Sequence, residues 1–216
     1  AYDTSAACSG WVYAMTQGVA MIESGIANKG VVICTEKQKQ GMDFSNHRSS
    51  ILIGDVATAT LLERQETAKV SSVHLRANNE KKLSSIIRLP FMETENGALR
   101  IGYFALDGRT VFKEGVATMI ALTQQTLASN GLQVDDIDWF IPHQANIRIL
   151  ESVAKKVGLS QDKIIITVQK HANTSAASIP LALFDAVQED KIKKGDLVLL
   201  EAMGGGFSWG STLIRW

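Results

Sequence analysis

Apolar residues at Val12, Met15, Val19, Ile22 and Ile26 recur every three to four positions, which predicts a helix beginning just after Cys8. "KGVVICTE" is a short, continuously apolar run and predicts a strand buried on both faces. "SSILIGDVATATLLE" reads as one or two further strands broken at Gly54. "TAKVSSVHLRANNEKKLSSIIRLPF" places strand-like runs around a polar loop. A long helix is predicted from about Gly108 to Ser129, with Phe112, Val116, Ile120 and Leu127 on one face. "DDIDWFIPH" is a strand ending at a Pro-His corner, and "QANIRILESVAKKVG" a helix closed by Gly158. "KIIITVQ", "GDLVLLEAM" and "WGSTLIRW" read as strands, with "TSAASIPLALFDAVQED" a helix among them. Strands alternating with helices predict an α/β fold in layers, helices covering a largely buried sheet.

The chain echoes itself. "ESGIANKGVVICTE" and "EDKIKKGDLVLLEA" each run from a helix end, through an isoleucine, into an apolar strand. Each is followed by a Gly-containing stretch and a similar strand end, "ATLLER" and "GSTLIRW". Two matches in one order predict duplicated halves. Residues 1–98 would hold the end of the first half plus a connecting segment, and 99–216 the second half. The echo thus predicts that the opening strands of the first half are missing from this sequence.

A chain of 216 residues can bury a sizeable core. Lysine plus arginine balances aspartate plus glutamate, 22 against 22, so net charge does not point to nucleic acid, and an electrostatic partner needs a local patch. No apolar run is long enough to span a membrane. Two cysteines without a disulfide framework predict a reducing, cytoplasmic setting.

Those two cysteines differ in position. Cys34 lies mid-strand and reads as a small buried hydrophobe. Cys8 stands at a helix start among Ser, Ala and Gly, where unpaired N–H groups and the helix dipole favour thiolate. Taken alone, it too could be a buried hydrophobe. A nucleophilic thiol needs partners for proton transfer and charge stabilisation. His143, in "IPHQAN", follows a buried strand and precedes a helix; a capping or loop histidine is the alternative. "KHANTSAAS" offers His171 and Asn173 at a second such junction, where Asn173 could equally be an N-cap. "MGGGFSWG" offers backbone N–H groups for an oxyanion, or a plain turn.

"AACSG", "PHQAN", "HANTSAAS" and "LLEAMGGGFSWGS" together resemble β-ketoacyl-[acyl-carrier-protein] synthase III, in the thiolase superfamily. The resemblance runs to Trp216. It implies a thiolase-like fold of duplicated βαβ-type halves, with the first half incomplete here. It implies Cys8 as the nucleophile that takes an acyl group from a short acyl-CoA. His143 and Asn173 would hold the thioester carbonyl of malonyl-[acyl-carrier protein] during decarboxylative condensation. The backbone N–H groups of Cys8 and Gly205 would form the oxyanion hole, and Phe207 would shape the acyl pocket. The family position of a CoA-binding arginine aligns with His47, next to Arg48. Lys113, Arg148, Lys155 and Lys156 occupy the positions that dock the acidic carrier protein; by charge pattern alone Lys155 would instead pair with Glu151. The resemblance further implies a homodimer and no metal or prosthetic group.

The family's "GDGAGA" reads "GDVATA" here, from Gly54 to Ala59, so valine and threonine restrict the backbone where the family has glycine. Two other readings remain: an acyltransferase using Cys8 without decarboxylation, and a non-catalytic subunit or inactive fragment that pairs with another chain.

Overall fold

The structure is a computed structural model. It describes the backbone of residues 1–66, 69–78, 87–88, 91–96, 98–103 and 105–216, and within them all side chains except those of residues 48–49, 87–88, 91–95, 98–102 and 105. The polar loop expected between the strand-like runs after Val70 falls largely outside these residues.

Helix α1 spans Gly10–Glu23 and buries Trp11, Val12, Met15 and Ile22. Strand β1 (Lys29–Glu36) follows, and after the short helix α2 (His47–Ser50) strand β2 (Val56–Glu63) returns antiparallel to it, Lys29 opposite Glu63. Near the other end of the chain, helix α6 (Ser178–Gln188) leads to β9 (Leu197–Gly204), and β10 (Ser208–Arg215) returns antiparallel with Leu197 opposite Arg215. The two helix–strand–strand units are the two copies of the echo.

The second unit sits in the larger sheet, of order β3-β10-β9-β8. Strand β3 (Val70–Ala77) pairs antiparallel with β10, so this stretch from the first 98 residues lies in the sheet of the second half. Strand β8 (Trp139–Pro142) runs parallel to β9. Between them in sequence, among the described residues, come four short strands, β4 (Ile87–Arg88), β5 (Phe91–Glu95), β6 (Ala98–Gly102) and β7 (Ala105–Leu106), paired β4 with β7 and β5 with β6.

Helices α1 and α6 lie between the β1–β2 pair and the four-stranded sheet, where Trp11, Val12, Ile179, Val198 and Leu200 form one core. The opposite face is covered by α3 (Gly108–Ser129) and α4 (Ile147–Val157), where Val116, Met119, Leu150, Val153 and Leu199 form a second. Asp107 caps α3 through the N–H groups of Arg109 and Thr110. Asn146 caps α4, and Gly158 closes it in the left-handed conformation, φ 84°.

Three expectations change. Strand β1 is not buried on both faces: its burial alternates, and Val31 and Ile33 are 58% and 66% exposed. Only one face of the β1–β2 pair meets helices. On α3 Val116 and Leu127 face inward with Ile120 packed against them, joined by Met119, Leu122, Thr123 and Thr126, while Phe112 is exposed. "KIIITVQ" is not a strand. Ile164 makes one parallel bridge to Phe140, and the chain then turns into the short helix α5 (Val168–His171).

The reason is Gln144. Its carboxamide is fully buried and donates to the carbonyls of Pro142 and Ile165, at 2.7 and 3.1 Å, while Oε1 accepts from the N–H groups of Thr167 and Val168, at 2.7 and 3.2 Å. One side chain replaces the sheet ladder there. Gln144→Ala would leave several of those buried groups unpaired and should lower stability by about 3 kcal/mol. Urea unfolding measures this, and an unchanged midpoint would show that water replaces the amide freely.

Candidate active site

Cys8 belongs to a single 3-10 turn, Ala7–Ser9, that feeds directly into α1. The turn is held at one atom. The Ala6 carbonyl accepts from the N–H of Ser9 at 3.1 Å, the Ser9 hydroxyl at 2.7 Å and the Ser208 hydroxyl at 2.9 Å. Ala7 is left-handed, φ 47°, a conformation that alanine adopts at a cost. The end of β9 lies directly against this turn. A Cβ on Gly204 would come within 2.7 Å of the Cys8 nitrogen and 2.8 Å of the Ala6 oxygen. Of the three consecutive glycines, Gly204 is therefore required for packing, whereas Gly205 faces the cavity beside Cys8.

The dipole expectation for Cys8 does not hold. Burial pushes the thiol up to about 11, and the Glu36 carboxylate adds to this, against a hydrogen bond from Ser175 that favours thiolate. Removing charge from water outweighs the helix N-terminus here. Cys34 is buried and its thiol is also pushed up to about 11, first by burial and then by Glu36.

His143 follows β8, its N–H donating to the carbonyl of Glu201 at 2.7 Å. Its Nδ1 lies 2.7 Å from the Ser178 hydroxyl. That hydroxyl oxygen also accepts the Gln144 N–H, at 3.3 Å, and in the tautomer in which the Ser178 proton turns to Nδ1 the ring N–H stands on Nε2. Burial holds the imidazole down to about 4, so it is neutral near neutral pH.

Asn173 is fixed by its backbone on both sides. Its N–H donates to Leu52 and its carbonyl accepts from Gly54, at 2.8 and 2.9 Å. Gly54 permits this approach, since a Cβ there would fall 2.3 Å from the His171 carbonyl. The Asn173 Oδ1 accepts from the Ser175 N–H at 2.8 Å, which leaves the amide donors free. His171 turns away, its Nε2 2.7 Å from Asp185.

Cys8, His143, Asn173 and Gly205 line one open cavity of about 2150 Å³. Phe207 is buried, its backbone paired with Asn78, and is not part of the lining; Met203 is. His47 is exposed at the start of α2 and does not line the cavity, and the Arg48 side chain lies outside the described residues. Lys113 on α3 and Arg148, Lys155 and Lys156 on α4 are exposed on neighbouring helices, with Arg148 at the cavity rim. Among the described residues no ion pair joins Lys155 to Glu151. Nor, among them, does any group of three His, Cys, Asp or Glu side chains stand close enough to hold a metal ion.

Sequence reading missed Ser178, Gln144, Gly204, Ser175 and Glu36. The hydroxyls of "NTSAAS" were the visible signal for Ser175 and Ser178; Glu36, at a strand end, gave none.

A layered α/β fold that converges a thiol, a neutral imidazole and a free carboxamide on one cavity defines an acyl-transferring condensing enzyme of the thiolase-like class. Comparison with known proteins carries this to a family. Residues 2–79 match the model of 3-oxoacyl-[acyl-carrier-protein (ACP)] synthase III, and residues 127–216 match its C-terminal model. The chain is 42% identical to the β-ketoacyl-[acyl-carrier-protein] synthase III of Bartonella henselae, covering 100% of this chain and 68% of that one. The Blochmanniella floridana enzyme is 41% identical over 100% of this chain and 67% of its own. The solved synthase III of Aquifex aeolicus VF5 superposes with a TM-score of 0.89 at 36% identity, covering 100% of this chain and 67% of that one. That of Thermus thermophilus gives 0.91 at 32%, with the same coverage. The chain belongs to the β-ketoacyl-[acyl-carrier-protein] synthase III family, the condensing enzymes that initiate fatty acid synthesis.

The neutral His143 makes stability pH-dependent. Its proton affinity is depressed on folding, from 6.5 to about 4, so the unfolded chain binds the proton first as pH falls. Its contribution is whole above about 6.5 and is lost by about 4, an amount near 3 kcal/mol. Urea titrations across that window should show a steeper loss in the wild type than in His143→Gln, and parallel curves would contradict a buried neutral ring.

Proposed function

We propose that this chain catalyses acyl transfer from a short acyl-CoA to Cys8, followed by decarboxylative Claisen condensation with malonyl-[acyl-carrier protein]. The product is a 3-oxoacyl-[acyl-carrier protein]. The observation that carries this reading is the pair of neutral donors, His143 Nε2–H and the Asn173 amide, lining the same cavity as the Cys8 thiol.

In the first half-reaction the sulfur of Cys8 attacks the acyl carbonyl, the N–H groups of Cys8 and Gly205 receive the oxyanion, and its collapse breaks the bond to the CoA sulfur, the Cys8 proton ending on the released CoA thiol. In the second, the malonyl thioester carbonyl accepts hydrogen bonds from His143 and Asn173. As CO₂ leaves, its bonding electrons pass to the α-carbon and delocalise onto that carbonyl oxygen. Uncharged donors suit this step: they stabilise the enolate without fixing the malonyl carboxylate, which must depart as neutral CO₂. The carbanion then attacks the acyl-Cys8 carbonyl and expels the thiolate. Each demand has a protein group, so no metal or prosthetic group enters the scheme. Phe207 is assigned to the acyl pocket through the loop it shares with the glycines, and His47 with Arg48 to CoA binding.

Lys113, Arg148, Lys155 and Lys156 are assigned to carrier-protein docking. A basic face beside the cavity rim suits an acidic partner whose substrate arm must enter there. Two free thiols fit a cytoplasmic location. The exposed Val31, Ile33 and Leu61 leave apolar surface that suits pairing, and a homodimer is the proposed assembly. Among the described residues no helix is long and apolar enough to cross a membrane.

Incubation with acetyl-CoA should add one acetyl group by intact mass, at Cys8 and not Cys34. His143→Ala or Asn173→Ala should reduce malonyl-thioester decarboxylation by roughly 10²-fold while slowing Cys8 acylation far less. Equal loss of both half-reactions would undo the division of roles.

Docking separates in the same way. Arg148→Glu should raise KM for malonyl-carrier protein about tenfold or more and flatten its salt dependence, with acylation by a CoA ester unchanged. Equal damage to both substrates would make the patch structural.

A further inference from the structure

The chain reaches Asn173 through a residue in an unusual conformation. Ala172 has φ 58° and ψ −167°, a region populated almost only by glycine. A side chain stays there only while the residues on both sides are held. On one side the Asn173 backbone is paired with Leu52 and Gly54, and its Oδ1 accepts from the Ser175 N–H at 2.8 Å. On the other stands His171, the last residue of α5. Its Nε2 lies 2.7 Å from Asp185 Oδ2 on α6, and Lys170 Nζ reaches the same oxygen at 3.0 Å. Asp185 is buried and paired with a lysine, so it is a carboxylate that can only accept, and Nε2 carries the donated proton. The four-residue α5 is thus held at both ends: the Gln144 side chain takes the N–H groups of Thr167 and Val168 at its start, and Asp185 takes His171 at its finish.

We propose that the His171–Asp185 pair is a clamp that positions the Asn173 amide for the malonyl thioester. Asn173 lines the cavity, whereas neither His171 nor Asp185 does. His171 is therefore a positioning residue that acts through Ala172, on the reading of Asn173 as a donor to that thioester. While the bond to Asp185 holds, Ala172 cannot relax without pushing His171 against the α2–β2 segment. That contact is already close, since a Cβ on Gly54 would fall 2.3 Å from the His171 carbonyl. With the bond gone, the end of α5 is free to turn, Ala172 returns to an ordinary conformation, and the Asn173 amide swings away from its aim. A donor directed at a developing enolate loses much of its effect when displaced by about an ångström.

Gln144 connects this clamp to the other donor. It directly follows His143, so the residue that anchors the start of α5 also lies beside the imidazole. The two groups assigned to the enolate are thereby held relative to each other through α5, and the clamp closes the end of that connection.

The competing role for the pair is fold stability alone, which would lower both half-reactions alike through the fraction folded. His171→Ala breaks the clamp from one side. Asp185→Ala breaks it from the other and leaves no buried carboxylate unpaired. His171→Gln keeps a donor at the place of Nε2. In the full chain, malonyl-carrier-protein decarboxylation is followed by steady-state kinetics, and Cys8 acylation by acetyl-CoA is followed by intact mass. Both alanine variants should lose about tenfold in kcat for decarboxylation, with KM and Cys8 acylation within about twofold of wild type. The double variant should be no slower than either single one, because both remove one bond. His171→Gln should stay within about threefold of wild type. Ala172→Gly meets the unusual conformation without strain, and should restore most of the decarboxylation rate when added to His171→Ala. If His171→Ala fails to fold, Asp185→Ala decides alone. Alanine variants that decarboxylate within about threefold of wild type, or that lose both half-reactions in the same proportion, would overturn the clamp. So would an Ala172→Gly change that restores nothing. An Asn173→Ala control that decarboxylates as fast as wild type would overturn the underlying reading instead.

Discussion

The site depends on the contact between the end of β9 and the turn that carries Cys8. Gly204 lets two backbones meet with no side chain between them, and three donors converge on the Ala6 carbonyl to fix the turn. The Ser9 and Ser208 hydroxyls lie 2.7 Å apart and share their two protons among this contact and the Ala6 carbonyl, so the turn before α1 is tied to the first residue of β10. The strained Ala7 persists because this network over-determines it. Since β9 and β10 are central strands of the larger sheet, Cys8 is registered against the middle of the second half's sheet. Reactive groups gain most when their positions are set before substrate arrives.

The same packing sets the electrostatics. Cys8 is held as a thiol, His143 as a neutral ring, and Glu201, fully buried on β9 with a hydrogen bond from Thr123, has its carboxyl raised well above the usual range by burial. Burial disfavours each charged form more than the available partners can restore it. Charge therefore arises in the reaction, on the tetrahedral oxyanion and the enolate, where preorganised donors meet it at low reorganisation cost. A standing thiolate–imidazolium pair would place a cation on His143, which in the proposed scheme offers a neutral N–H instead.

Much of this was legible in the sequence, and the failures share a cause. α3 runs from Gly108 to Ser129 as its spacing predicted, and Gly158 ends α4 as a left-handed residue should. Cys8, His143 and Asn173, which the structure brings to one cavity, could be singled out because each stands at a junction where local pattern changes, a signal carried by neighbours in sequence. Glu36 and Gly204 were not, because their importance comes from residues about 30 and 200 positions away across the fold. "KIIITVQ" misled for the same reason: its apolar pattern is a strand's, but a buried amide from "PHQAN" takes the N–H groups of Thr167 and Val168. The dipole argument for Cys8 failed because a helix terminus contributes about 0.3–1 kcal/mol, whereas burying a charge costs several.

The two copies of the helix–strand–strand unit show how one local pattern yields different surfaces. "VLLEA" in β9 has β8 on one side, β10 on the other and helices on both faces, and every residue of it is buried. "VVICTE" in β1 has the same apolar continuity and the same antiparallel return, yet helices meet only one face, and Val31 and Ile33 are left in water. A continuous apolar run states what a strand tolerates; coverage by other elements decides what it receives. The two units also divide the work. The covered copy supplies the rigid ledge of Gly204 and the glycine loop. The half-covered copy ends in Glu36, whose carboxylate reaches across to Ala176 at the start of the segment leading into α6. The cavity thus opens where the second half's loops meet the end of the first half's strand, beside the turn that β9 holds in place.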